Sequence, residues 1–515
     1  MTNNLLKFSS NLDRDQLLAN QAKSKLSCHV NIESNLIAGT ENDIATTANI
    51  CLLFDCSFSM SGKKFETAIK TAKMIVDILH ERHWISLLAF HTRCNTVFKN
   101  QVPAENAKEL IKYKIDKIHD HLGGSTNMAA GIKSAMDILE DSTADADVIV
   151  LLSDGIADSA EKAQMAAEKA SERGIQLFAV GIGESYDADQ LLELVKPSNG
   201  AVFGDSEGDK INKIFYDIIN RIDQIYASKA KLDIIFDESV HLKRVYKTSP
   251  ERALYNSLSL DSDHKLGLRV GNIENNKSYE FLLNIEVDPH DVGSLELIKA
   301  RLQYDVNRQG VTTQQVQEIV LTVNYTDDDT LTSHTNQHIS SAINKASMVQ
   351  LSDDLMQACA KSDSARALQA LNKLQKKCDE ENDTGLKQHL DSMKMKLEAG
   401  HKVSAKDRND FLLASSKAPP NAAAPSGFEA TMILNTLPDA ELYDFILIDP
   451  GIDTIRLLRE IRNTTNMGIP EIANIIKSRN SRVTVFKNKT DAESFQKRLV
   501  DIGAIVKIQA SAGSE

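Results

Sequence analysis

Three oxygen-bearing side chains stand at alternate positions where an apolar run stops: Asp55, Ser57 and Ser59 in LLFDCSFSMSGKK, residues 52–64. Carboxylate and hydroxyl oxygens are hard ligands of the kind Mg²⁺ takes in octahedral geometry. Read alone, D-x-S-x-S also fits a helix N-cap with spare serines. Two further stretches supply compatible groups. GGSTNMAAG puts Thr126 in a loop that opens a helix, and LLSDG puts Asp154 at the end of a second apolar strand. In an open parallel sheet, ligands bind in the crevice beyond the C-terminal strand ends. That is where all five residues fall if both apolar runs are parallel strands. No nucleophile or proton-transfer pair is evident beside them, so the chemistry is binding rather than turnover.

Neighbouring residues invite other readings. Cys56 could serve as a redox nucleophile, but no basic partner can be assigned to it, and a packing or small-loop role fits better. Gly62-Lys63-Lys64 lacks both the glycine five positions earlier, where Ser57 stands, and a Ser or Thr after Lys63; it reads as a helix start rather than a phosphate loop. His80 and His83 are three apart, where a zinc helix needs four, and they sit at a helix C-terminus, where the dipole favours positive charge.

The elements that must position these groups follow from periodicity. TANICLLFD, WISLLAF, DVIVLLSD and IQLFAVGIG read as buried strands. Between and after them lie amphipathic helices over 62–80, 104–118, 126–140 and 159–174, a helix near 187–195, a short strand near 201 and a helix over about 208–227. This alternation predicts a doubly wound α/β domain with a mainly parallel sheet over 41–228. From 229 to 337 strands follow one another with polar turns and no helix, which predicts an antiparallel β-sandwich. KLSCHVNIES, within 25–40, alternates like a half-buried strand and is expected to join that sandwich, so the α/β domain is inserted within it. Residues 1–24 are an N-terminal segment. Residues 338–402 return to helical spacing, and 403–429, containing ASSKAPPNAAAPSG, reads as a flexible linker. A compact unit over 430–515 closes the chain.

The constellation Asp55, Ser57, Ser59, Thr126 and Asp154 resembles the metal-ion-dependent adhesion site of von Willebrand factor A domains: D-x-S-x-S, a Thr from a later loop and an Asp closing a strand. The resemblance covers roughly residues 40–228. It implies that Ser57, Ser59 and Thr126 ligate Mg²⁺ directly, with Mn²⁺ or Ca²⁺ as alternatives, while Asp55 and Asp154 act mainly through bound water. It also implies an open coordination position, which an Asp or Glu of a partner protein completes.

A second resemblance lies in FILIDPGIDTIRLLREIRNTTNMGIPEIANIIK and NKTDAESFQKRLVDIGAIVKI, over about 445–508. These are similar to the C-terminal domain of the ribosomal stalk protein L7/L12, a small α+β (ClpS-like) fold. Gly451, the TIRLLREIRNTT helix, Met467-Gly468-Ile469, DAESF and IGAIVKI carry it. The resemblance implies a partner-binding face at Ile455, Leu458, Arg459 and Arg462, although Thr454, Pro470 and Ala473 replace lysines usual in that family.

Bulk properties bound the rest. The chain has 515 residues, enough for several domains, and a net charge of −13. That acidity argues against nucleic acid or an anionic membrane as partner. Residues 439–515 hold eleven Lys/Arg and eleven Asp/Glu, so the last unit is neutral. Six cysteines without metal or CxxC spacing, an N-terminus lacking a secretory pattern and the lack of any membrane-length apolar run point to a cytoplasmic bacterial protein with reduced thiols. The expectation is a non-enzymatic, Mg²⁺-dependent protein-binding adaptor with two binding modules. The alternatives are an accessory subunit of an AAA+ ATPase of chaperone or chelatase type and an adhesin or effector exported by a non-classical route; the candidate partners are a protein that presents an Asp or Glu to the metal, an ATPase or a translation-related factor.

Overall fold

The computed structural model describes residues 6–20, 22–34, 46–153, 157–183, 186–205, 211–255, 258–308, 311–333, 336, 339–417, 443–450, 454–465, 472, 475–476, 481–486, 495–500 and 502–510. Three strands come first: β1 (Leu6–Leu12), β2 (Gln16–Leu18) and β3 (Ser24–Ser34). The α/β unit follows: β4 (Ala48–Asp55), α1 (Lys63–Ile78), β5 (Trp84–Phe90), β6 (Cys94–Gln101), α2 (Lys108–Asp116), α3 (Met128–Leu139), β7 (Ala146–Ser153), α4 (Ala160–Glu172), β8 (Gln176–Ile182), α5 (Ala188–Val195), β9 (Val202–Asp205) and α6 (Ile211–Asp223).

Its six strands are ordered β6-β5-β4-β7-β8-β9. All neighbours pair in parallel except β6, which runs antiparallel to β5 at the edge. Successive side chains of a strand point to opposite faces. In β4, Ile50, Leu52 and Phe54 therefore pack with α1 and α6, whereas Cys51 and Leu53 pack with α3. Burial on both faces is why the sequence here is continuously apolar.

The chain then enters a run of strands: β10 (Ile225–Phe236), β11 (Val240–Ser249), β12 (Ala253–Tyr255), β13 (Lys265–Glu274), β14 (Ser278–Val287), β15 (Gly293–Arg308) and β16 (Val311–Thr326). They form two five-stranded sheets with the N-terminal strands, ordered β1-β3-β14-β11-β12 and β13-β10-β15-β16-β2. β3 pairs with β14 over ten residues. The pairing of β2 with β16 is parallel, a departure from the all-antiparallel expectation. Val30 and Phe281 from one sheet and Leu232 and Leu302 from the other belong to a single buried cluster.

Four helices follow, α7 (Ser340–Ala360), α8 (Ser364–Glu380), α9 (Thr384–Glu398) and α10 (Ala405–Ser415). Asp363 and Asp383 cap the second and third through backbone N–H groups. The fourth corrects the expectation of linker from residue 403. Ser404 and Asp407 form a reciprocal capping box at its start. Phe411 is fully buried among the other helices. The closing unit has β17 (Tyr443–Asp449), α11 (Thr454–Thr465), β18 (Ser481–Phe486) and β19 (Ile505–Ala510), in one antiparallel sheet ordered β18-β17-β19. Among the described residues no helix is long and apolar enough to cross a membrane.

Candidate metal centre

Asp55 is the last residue of β4 and is wholly buried. Both carboxylate oxygens are held. The Ser57 N–H donates to Oδ1 at 2.9 Å, and the Ser153 hydroxyl, from the end of β7, donates to Oδ2 at 2.6 Å. The chain leaves the sheet immediately afterwards and turns through a short 3-10 segment, Phe58–Met60. The Ser57 side chain does not cap that segment, and the N-cap of α1 is Gly62. The serines are therefore not helix caps. Instead the Ser57 and Ser59 hydroxyl oxygens lie 3.0 Å apart. An octahedral cation with ligands at about 2.1 Å has edges of about 3.0 Å. The donor set, hydroxyls backed by carboxylates, suits a hard divalent cation.

A second loop is tied to the first. The Gly123 N–H donates to the Cys56 carbonyl at 2.7 Å, and the Phe58 N–H to the Gly124 carbonyl at 3.3 Å. Gly124 has φ +78°, and a Cβ there would sit 2.5 Å from the Thr92 hydroxyl, so the position needs glycine. This anchoring carries the chain to Thr126, just ahead of Asn127, whose side chain caps α3.

Thr126 is itself clamped by a residue that motif reading passed over. Asp158 accepts from the Thr126 N–H at 3.1 Å and from the Ser125 hydroxyl at 2.6 Å, and its own N–H returns to the Thr126 carbonyl at 3.0 Å. Asp158 and Ser153 both flank Asp154 in LLSDGIADS. That proximity was the one available signal. Asp154 lies outside the described residues.

Electrostatics around the turn disfavour thiol chemistry. Burial, followed by the negative charge of Asp55, pushes the Cys56 thiol far above its ordinary value. Cys56 is a packing residue beside Met60 and Phe65. Phe58, in the other variable position of the motif, is 70% exposed, and its ring lies against Gly123.

His83 departs from the charge expected of it. It is buried beyond the end of α1. The Ala48 N–H donates to Nδ1 at 3.0 Å, so the proton is on Nε2, which faces Asp223 at 2.9 Å. Burial, then the charges of Arg82 and Arg462, lower its pKa to about 3. Asp223 acts in the opposite sense, but its charge is shared with both arginines.

The face anticipated on α11 is differently disposed. Leu458 is buried in the core of the closing unit with Leu457 and Ile461. Arg462 is 8% exposed and contacts Asp223 of α6. Neither is on an open surface. The side chains of Ile455 and Arg459 lie outside the described residues.

With this geometry in view, the α/β unit is of the von Willebrand factor type A class: the family model of that domain matches residues 49–217. The model of the ribosomal protein L7/L12 C-terminal domain matches residues 443–509. The chain thus carries both domains.

It is 23% identical over 291 residues to an uncharacterized protein of Synechocystis sp., covering 55% of this chain and 67% of that protein. It is 25% identical over 193 residues to a von Willebrand factor A domain-containing protein of Dictyostelium discoideum, covering 37% of this chain and 21% of that one. Over most of the curated relatives, then, the chain spans a quarter of their length or less.

A solved von Willebrand factor type A structure from Catenulispora acidiphila superposes with a TM-score of 0.67 at 16% identity. It covers 81% of this chain and 99% of the other. The ArnB paralog VWA2 of Sulfolobus acidocaldarius gives 0.52 at 13% identity, covering 80% and 97%. The shared fold therefore extends well past the α/β domain into the β-sheets or helices around it.

Proposed function

We propose that this protein is a non-enzymatic adaptor that binds a partner protein through a divalent cation, Mg²⁺ by the hardness of its ligands. Ser57, Ser59 and Thr126 would hold the ion directly, with Asp55 and Asp154 behind them, and a partner Asp or Glu would complete its coordination. The observation that carries this reading is the pair of serine hydroxyls 3.0 Å apart beside a fully buried carboxylate, with Ser57 not used as a helix cap. Domains of this family commonly mediate protein interaction and commonly depend on a metal. When bound, the cation supplies an electrophilic site for a carboxylate. The chain's own part is to fix the hydroxyls and present Phe58 beside them.

We read the two five-stranded sheets as a β-sandwich that carries the α/β domain as an insertion, and the closing domain as a second protein-binding module. Two modules on one chain raise the effective concentration of one partner near another. The same reading places the protein in the cytoplasm, where its six free cysteines would stay reduced.

The test is a pulldown from native lysate in Mg²⁺ and in EDTA, with wild type beside Asp55→Ala and Thr126→Ala. A partner retained by wild type in Mg²⁺ alone supports the reading. The same partners in every lane would sink it. Copurification of an AAA+ ATPase would favour an accessory-subunit role instead, and recovery from culture supernatant an exported one. Phe58→Ser should lower partner capture at least about tenfold while leaving Mn²⁺ binding unchanged, because an exposed aromatic anchor of this kind contributes to the interface and not to the ion.

A further inference from the structure

The sheet ordered β13-β10-β15-β16-β2 has a largely bare edge. β16 pairs with β15 from Val311 to Tyr325. Among the described residues, its other edge is paired only over 324–326, by β2. Residues 311–323 therefore present a row of backbone N–H and C=O groups with no strand beside them. Exposed edges are usually short, charged or interrupted by proline, which keeps other strands from adding to them. This one has none of those devices. It holds no proline and one charged residue, Glu318, which Lys299 and Arg301 of β15 already engage at 3.2 and 3.4 Å.

The side chains are as uncovered as the backbone. Val316 and Val320, on the outer face, are 44% and 46% exposed, and Val311 is 62% exposed. Ile319 and Leu321, on the inner face, are only half-buried, whereas Ala300 and Ile298, opposite them on β15, are buried. One more strand would meet the backbone groups and cover these apolar side chains together.

We propose that the occupant is β16 of a second copy of this chain, paired antiparallel across a two-fold axis at Val316. A two-fold interface uses one patch twice, so the strand must be complementary to itself. An axis normal to the sheet keeps outer residues opposite outer ones. Centred on Val316, it sets that residue against its own copy, Gln315 against Gln317, Gln314 against Glu318, Thr313 against Ile319, Thr312 against Val320 and Val311 against Leu321. Each apolar residue then meets an apolar or β-branched one, each amide meets an amide or the carboxylate, and no like charges are opposed. Centred on Glu318, the carboxylate would face its own copy; centred on Gln317, it would face Val316. The length fits as well. The paired stretch, 311–321, stops short of 324, where β2 takes the same edge. The pairing is separate from the metal centre and does not depend on the metal.

The experiment is sedimentation velocity of the full chain over a concentration series, with and without EDTA. Expected is a dimer that dissociates on dilution and is unaffected by the chelator. Val316→Lys sets two ammonium groups opposite each other at a position exposed in the monomer, and should weaken the dimer by about tenfold or more. Cross-linking reads the register independently of that variant. Val316→Cys should form an intermolecular disulfide under mild oxidation, because directly opposed Cα atoms lie about 4.5–5.5 Å apart. Val320→Cys should not, its two copies being about 26 Å apart. Gln314→Cys should link to Glu318→Cys only when the two variants are mixed. A monomer at high micromolar concentration would overturn the pairing and leave the edge to a strand of another protein. A dimer undiminished by Val316→Lys, or one that Val316→Cys fails to link, would place the contact elsewhere and overturn it too.

Discussion

A carboxylate four residues past the motif's Asp154 can matter as much as the motif itself. Asp158 touches no proposed ligand atom, yet it accepts from the Thr126 and Ser125 groups that set where the threonine hydroxyl stands. Partners behind a metal's ligands typically change affinity by about 10–100-fold when removed. Asp158→Asn should therefore weaken Mn²⁺ binding by at least about tenfold, read by calorimetry or by the manganese spin signal, with the melting temperature nearly unchanged. An affinity equal to wild type would assign Asp158 to loop packing alone.

His83 makes a pH prediction at the same scale. Its folded pKa, near 3, lies below the ordinary value near 6.5, so between those limits the unfolded chain binds a proton that the folded chain does not. Stability should be full above about pH 6.5 and fall as pH drops toward 3. The histidine alone accounts for about 2 kcal/mol between pH 7 and pH 5. Urea midpoints at both pH values should show a smaller loss for His83→Gln than for wild type, whatever the variant's absolute stability.

At the scale of elements, α10 joins two cores. Phe411 packs among α7–α9, while Leu412 and Leu413 reach the α3–α5 side of the von Willebrand sheet. The Asn409 amide donates to the Tyr186 carbonyl at 2.7 Å. Removing a buried phenyl ring costs about 3–5 kcal/mol. Phe411→Ala should lose that much for the helical unit, seen as faster amide exchange across α8–α10 with β4 and β7 still protected. Uniform loss across all elements would mean that the helices do not open separately.

The same element shows what sequence could not convey. Strands β4, β5, β7 and β8 were legible because each is buried on both faces and reads as an uninterrupted apolar run. The edge strand β6, CNTVFKNQ, has one well-buried side chain, Phe98, and shows no such run. The short strands β1 and β2 are stabilised by pairing with distant β3 and β16, which local pattern does not register. The apolar residues of α10 are bunched as Phe-Leu-Leu rather than spaced by three and four, because they serve two neighbours and not one. At the metal centre the serine spacing was visible in one segment. The Ser153 support of Asp55 spans 98 residues and was not.

At the scale of the whole molecule, the question is whether the von Willebrand domain is a bead on the β-sheets or part of one body. The chain enters the domain near Thr46 and leaves it near Ile225. The Thr46 hydroxyl donates to the Ile225 carbonyl at 2.5 Å, so both passages are fastened at one neck. Beside it, Arg221 of α6 reaches into the sheets. It donates to Glu274 of β13 and to Glu251, which also holds Lys247 of β11. Burial alone would weaken these charges. For Arg221 it is outweighed by Glu274 and Glu251, which raise its pKa, and for Glu251 it is outweighed by Lys247 and Arg221, which lower its pKa to about 2.

A buried network of this kind adds little over apolar packing when complete, but removing one member strands the others without solvent. Glu274→Gln leaves the shape and removes one negative charge. It should cost about 3 kcal/mol. Because the stranded charge is at the junction, the loss should appear as uncoupling: the transitions followed at Trp84 in the von Willebrand domain and by circular dichroism for the sheets should coincide in wild type and separate in the variant under urea. A single transition at an unshifted midpoint would show that the neck and its apolar contacts hold the two units together without the charges.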